Sequence, residues 1–149
     1  MSGYPKNVGH LNFAPGTIFK DRSELSKKRV HGPTQAVIWN DGSEYAVSIV
    51  VSGGYIDDKD SVSTLLYTGQ GGRDPSTGRQ VSDQELTRGN KGLFNSMKLK
   101  LPVRVTRGYQ VDHGPSSGYR YDGLFMVKRA IVEPSIDGPL IWRFELVSH

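Results

Sequence analysis

The chain has 149 residues, enough for one domain with a real core, and 36% of them are hydrophobic. It contains no cysteine, which excludes a disulfide framework, a thiolate metal site and a cysteine nucleophile. Lys and Arg number 19 against 15 Asp and Glu, a formal net charge of +4 that is compatible with nucleic acid without requiring it.

Taken in chain order, 18 glycines and 8 prolines favour short strands and turns over long helices. The N-terminal MSGYPKNVGHLNFAPG has no apolar core of a leader, and no apolar run reaches membrane-spanning length, so no membrane partner is expected. Residues 1–15 read as a flexible lead-in and 16–149 as one domain, with no repeat or interdomain linker. Residues 23–29 predict a short helix capped by Ser23 and broken at His31-Gly32-Pro33. Residues 36–39 and 45–51 flank Asn40-Asp41-Gly42-Ser43, a hairpin signal. In the second arm Tyr45, Val47, Ile49 and Val51 share one face, while Ala46 and Val50 fill the other, which predicts burial on both sides. A short strand over 64–68 enters the Gly69–Gly72 loop. Residues 74–78 then form a turn that presents Arg79 and Gln80 on a protruding finger. Ser82 and Glu85 make a capping box, with Val81 and Leu86 as a staple, predicting a helix that runs on through Leu93 and Met97 with close packing at Gly89 and Gly92. Val103 and Val105 alternate with Arg104 and Thr106 in a further strand. A Gly/Pro/Ser-rich loop follows over 109–119. Strands over 124–132 and 140–147 close the chain, the last with Leu140, Trp142, Phe144 and Leu146 on one face. The sum is an α+β domain: a twisted β-barrel or curved mixed sheet with flanking short helices.

Enzyme signatures are missing from this pattern. His10, His31, His113 and His149 show no metal-ligand spacing, there is no GxSxG elbow, and GQGGRD lacks the Lys-Ser/Thr ending of a phosphate loop. Asp57, Asp58 and Asp60 do not have the spacing of a calcium loop. No catalytic residue, metal or cofactor is expected. The 51–74 stretch instead assembles what a flat, hydrogen-bonding ring needs. Tyr55 and Tyr67 supply aromatic faces, the aspartates supply acceptors, and the glycines let backbone approach closely. A base drawn from a duplex loses stacking and pairing, and base–aromatic stacking restores about 1–3 kcal/mol of it. An aspartate accepting from an exocyclic amine selects cytosine-type rings. Ordinary strand packing of the two tyrosines is the competing reading, although Tyr55, after Gly-Gly and before three charges, is poorly placed for a core. Basic residues at 27–29, 73, 79, 88, 91, 98, 100, 104 and 107 surround this stretch, as either a solvated face or a backbone grip.

Ser52-Gly-Gly-Tyr-Ile-Asp-Asp58, Tyr67-Thr-Gly-Gln-Gly-Gly72, Tyr121-Asp-Gly-Leu-Phe125 and Trp142-Arg-Phe144 resemble the SRA (SET- and RING-associated, or YDG) domain, in order, from about residue 16 to 147. The resemblance implies a twisted β-barrel with flanking helices that grips duplex DNA and flips a modified cytosine into a pocket. By position, Tyr55 and Tyr67 would sandwich the base, Asp58 would accept from its amine, and backbone near Ser52, Gly54 and Thr68 would meet its edge. Gln70 stands where some members carry a smaller residue beside the 5-substituent, leaving both 5-methyl- and 5-hydroxymethylcytosine open. The loop from His31, with Gln35 near its tip, and the Arg73–Gln80 loop with Arg79 would be the two groove fingers, and Lys91 a phosphate contact. Tyr121, Asp122 and Gly123 would serve the fold. The segments DPSTGRQVSDQELTRGNKGL and SGYRYDGL resemble bacterial members that precede an HNH nuclease, implying a cytoplasmic, nucleoid-associated protein with a fused nuclease domain. A eukaryotic methyl-CpG reader in the nucleus is the runner-up. Away from the resemblance, an enzyme using Asp57 or Asp58 as general base and a protein-interaction module with a tyrosine-lined groove remain the other classes.

Overall fold

Ser48, Ile49, Val50 and Val51 are all buried, and the reason is a sheet covered on both faces. A computed structural model describes residues 4–55 and 57–149. Among these, the strands are β1 (Ile18–Phe19), β2 (Ile38–Trp39), β3 (Ser48–Val51), β4 (Lys59–Asp60), β5 (Thr64–Thr68), β6 (Val103–Gly108), β7 (Tyr119–Pro134) and β8 (Leu140–Ser148). They form one sheet in the order β2-β3-β6-β7-β8-β5-β4, with β1 added beside β7. The β3–β6 pair is parallel and the other pairs are antiparallel, so the sheet is mixed. Its two ends, β2 and β4, do not pair with each other. The expected α+β domain with a curved mixed sheet and flanking short helices is therefore what the chain forms, and the sheet is left unclosed.

Curvature brings the unpaired ends together all the same. Ile49 and Val51 pack into a large core with Leu65, Tyr67, Val105, Phe125, Phe144 and Leu146, beneath Leu93 of helix α2 (Arg88–Leu99). Val50 points to the opposite face and joins Phe19, Val30, Tyr119, Tyr121 and Leu25 of helix α1 (Arg22–Lys27). Period-2 alternation thus feeds both cores from one strand.

Several local expectations are revised. The cap of α1 is Asp21, whose carboxylate accepts from the Glu24 N–H at 2.9 Å, so the helix begins one residue before Ser23. The Ser82–Glu85 box does not start α2, which begins at Arg88. Its polar groups bond elsewhere: Asp83 accepts from the Leu140 N–H (2.8 Å), and Gln84 donates its backbone N–H to Leu140 O (2.9 Å) and accepts from the Trp142 N–H (2.9 Å). Val81 and Leu140 are exposed rather than packed. Residues 4–15 are docked, not loose. Arg104, buried in β6 against the expected alternation, donates to the carbonyls of Asn7 (2.7 Å), Gly9 (3.0 Å) and Val30 (3.1 Å), and His10 contacts the Tyr121 hydroxyl at 2.8 Å. Tyr121 is core and Asp122 pairs with Arg107 and Arg120, as expected of fold residues.

Candidate nucleic-acid interface

β3 ends at Val51, and Gly53, at φ 76°, turns the chain in a conformation that favours glycine. That turn places Tyr55 so that its hydroxyl accepts from the Gly71 N–H at 3.0 Å, tying the loop after β3 to the loop after β5. Ile56 of the same motif lies outside the described residues. The three aspartates that follow take different partners. Asp57 accepts from the Ile136 N–H (2.9 Å), and its carbonyl accepts from Arg143. Asp58 accepts from the Thr68 N–H at 2.6 Å. Asp60 is held by the buried Arg107 at 2.7 Å. They do not form one acidic cluster, and among the described residues no group of His, Cys, Asp or Glu is arranged to hold a metal ion.

Tyr67 reaches inward from β5 and is 3% exposed, with its hydroxyl donating to the Val50 carbonyl at 3.1 Å. Tyr55, Asp58 and Tyr67 line a cavity of about 300 Å³ together with Ser52, Gly54, Gln70, Arg73, Val50 and the Gln35–Val37 segment. Six of the seven expected pocket residues therefore meet in one space. The seventh, Thr68, is buried behind it and acts through its backbone N–H on Asp58. Burial pushes the Asp58 carboxyl up to about 6 despite the Thr68 hydrogen bonding that opposes it. Burial also raises the Tyr67 phenol well above its ordinary value, keeping it neutral. Tyr55 and Asp58 additionally border a second cavity of about 270 Å³, beside Asp60 and residues 110–113.

The outer residues divide. Gln35 is exposed at the cavity's edge, and Arg79 is exposed on the finger with a 3.4 Å contact to Asp137. Arg73 pairs with Gln80 at the finger's base. Lys91 sits away from the cavity, on α2 near Asn40 and Arg88. His31 and Gln80 are corrections, because neither side chain is free to reach a groove. His31 is fully buried, contacting Ser48 Oγ (2.6 Å) and the Ala36 carbonyl (2.8 Å), and desolvation lowers its pKa to about 3. Gln80, 5% exposed, donates to the carbonyls of Gly71 (2.8 Å) and Ser82 (2.9 Å). Both shape the loops that carry Gln35 and Arg79.

The supports beneath these loops have no local signature along the chain. Asn90 accepts from the Gln70 N–H (2.8 Å) and donates to the carbonyls of Gln70 and Glu85 (both 2.9 Å). Gln84 donates to Gly69 O at 2.6 Å. Arg22 donates to the carbonyls of Pro33 (2.9 Å) and Ala36 (2.6 Å). Each is a polar residue that bonds the backbone of a loop outside its own element, so only the folded arrangement exposes its task.

Two tyrosines, a buried carboxylate and closely approaching backbone thus surround one cavity, set where the ends of a curved sheet converge. The chain belongs to the SAD/SRA domain family, whose model matches residues 7–149. It is 36% identical over 158 residues to a UHRF1-like protein of Cryptococcus neoformans var. grubii serotype A, covering 94% of this chain and 45% of that protein. Its structure is similar to that of a modification-dependent TagI restriction endonuclease, with a TM-score of 0.89 and 39% identity over 95% of this chain and 52% of that one. It is also similar to the SUVH5 SRA domain solved with fully methylated CG DNA, with a TM-score of 0.80 and 39% identity over 95% of this chain and 93% of the other. The chain thus spans about half the length of the first two relatives.

Proposed function

We propose that this chain binds duplex DNA carrying a 5-modified cytosine and receives the flipped base in the cavity between Tyr55 and Tyr67. The observation that carries this reading is the meeting of both tyrosines and Asp58 around one space of about 300 Å³. Tyr55 and Tyr67 offer faces for stacking, and the Asp58 carboxylate accepts from the cytosine amine. The net charge of +4 and the exposed Arg73 and Arg79 supply the sequence-independent attraction to phosphates. The SUVH5 domain was solved with methylated DNA, which supports the same class of ligand here.

The likeness to a modification-dependent restriction endonuclease supports a role as the recognition part of a nuclease, and the resemblance of the 74–93 and 117–124 segments to bacterial members favours a bacterial cytoplasm. A second reading, a methyl-CpG reader in a nuclear chromatin protein, is favoured by the UHRF1-like relative. Both use the same pocket. Fluorescence anisotropy with matched unmodified, 5-methyl and 5-hydroxymethyl duplexes tests it. Tighter binding to a modified duplex is expected, and equal affinity for all three would sink the proposal. Incubation with DNA and divalent metal tests the competing enzyme reading, for which cleavage or base release by this chain would be the supporting result.

A further inference from the structure

Arg73 lies in the cavity rather than pointing away from it. Its Nη1 donates to the Gly54 carbonyl at 2.5 Å, and its Cζ stands 5.2 Å from the centroid of the Tyr55 ring. A planar, delocalised cation thus rests on the aromatic face offered to a base, and bonds a backbone oxygen offered to a base edge. The guanidinium and a stacked ring cannot share that face.

We propose that Arg73 holds the seat of the flipped base in the free protein and leaves it when a base enters, so that it sets how readily a base is captured. This rests on the base-reading function proposed above. The backbone beneath Arg73 is fixed: it pairs with Gln80, and at Gly72 a Cβ would come within 2.4 Å of Gln80 Nε2 and Ser82 O. The movement is therefore a side-chain rotation, not a shift of the finger. Outside the pocket the guanidinium meets the phosphates that flank the extruded nucleotide, exchanging one ring contact and one carbonyl for charge-assisted hydrogen bonds. A base that stacks and bonds well displaces it, whereas one that fits poorly leaves it in place.

The test uses the 149-residue chain and a duplex with 2-aminopurine beside a single 5-methylcytosine, in stopped flow at saturating protein. Arg73→Lys keeps the charge and removes the planar fork, and the base-extrusion phase is expected to be at least threefold faster than in the wild type. Arg73→Ala is expected to speed the same phase and to lower the slope of log affinity against log salt by about one. An extrusion phase that is unchanged or slower in both variants overturns the role of Arg73 and leaves base reading standing. A wild type with no extrusion phase on the modified duplex overturns both.

Discussion

The Tyr67 hydroxyl donates to the carbonyl of Val50 at 3.1 Å and so joins β5 to β3, strands separated by three others in the sheet. The bond spans the opening where β2 and β4 fail to pair, which is also where the cavity lies. One side chain therefore serves the core, the seam and the proposed site.

Tyr67→Phe separates these tasks. The aromatic face remains, and one buried hydrogen bond is lost, leaving the Val50 carbonyl short of a partner. A loss of about 1–2 kcal/mol in urea denaturation is expected, with the preference for modified over unmodified duplex retained. Loss of that preference would show that the hydroxyl, not the ring, matters for reading.

Asp58, the proposed acceptor for the cytosine amine, carries a cost to stability. Its pKa is raised from 3.8 to about 6, so the folded state favours the protonated form. The associated stability is complete below about pH 3.8 and is lost as pH rises through 6. Asp58→Asn keeps an oxygen for the Thr68 N–H and removes the buried charge. It is expected to stabilise the free domain at pH 7.5 by up to about 3 kcal/mol, from some two pKa steps at about 1.4 kcal/mol each, while weakening binding to modified DNA. In the wild type, preference for the modified duplex is expected to fall as pH drops below about 6, where the acceptor becomes protonated. Anisotropy titrations between pH 5 and 8 read this directly, and a flat preference across that range would contradict the role.

His31 has the opposite sign. Burial lowers its pKa from 6.5 to about 3, so the fold holds it neutral; its contribution is present above pH 6.5 and is lost as pH falls toward 3. Between about pH 6 and 4 the unfolded chain gains a proton at His31 while the folded chain gains one at Asp58, so the two slopes oppose each other. Wild-type stability is expected to change little over that window. His31→Gln should reveal a stability that rises on acidification, and Asp58→Asn one that falls, each by up to about 1.4 kcal/mol per pH unit. Urea curves at pH 6.0, 5.0 and 4.5 decide it, and matching slopes in the two variants would refute the assignment.

Gly89 sits under the Gln70 loop, where a Cβ would fall 2.8 Å from Ile38 Cβ and 3.0 Å from Gln70 Cδ. Ile38 is a strand residue in the core and cannot swing aside. Gly89→Ala gains at most about 1 kcal/mol of helix propensity against about 1–3 kcal/mol of overpacking. A net loss of stability is expected, seen as a lower urea midpoint at unchanged m-value.

How much of this was legible in the sequence follows from where each signal resides. The Asn40–Ser43 hairpin, the doubly buried β3 and the meeting of Tyr55, Asp58 and Tyr67 were encoded in local turns, in alternation and in a short motif. The start of α2 was not. Ser82 and Glu85 match a capping pattern, but Asp83 and Gln84 are drawn to the backbone of β8, a competition between elements that local sequence does not record. His31 and Gln80 were expected as groove contacts because they bound the two loops that the family resemblance implies are groove fingers. They are buried because loop carbonyls inside the fold need donors. Arg104 was hidden for the same reason, since the carbonyls it caps belong to residues nearly a hundred positions earlier.

In the proposed function, base reading resides in the Tyr55–Tyr67–Asp58 cavity and general affinity in the basic surface. The most direct measurement is the ratio of affinities for 5-methylcytosine and unmodified duplexes, taken with the salt dependence, for wild type, Asp58→Ala and Arg79→Ala. Asp58→Ala is expected to bring the ratio close to one with the salt slope intact, and Arg79→Ala to weaken both duplexes alike. If Arg79→Ala erased the ratio while Asp58→Ala preserved it, the pocket assignment would be contradicted.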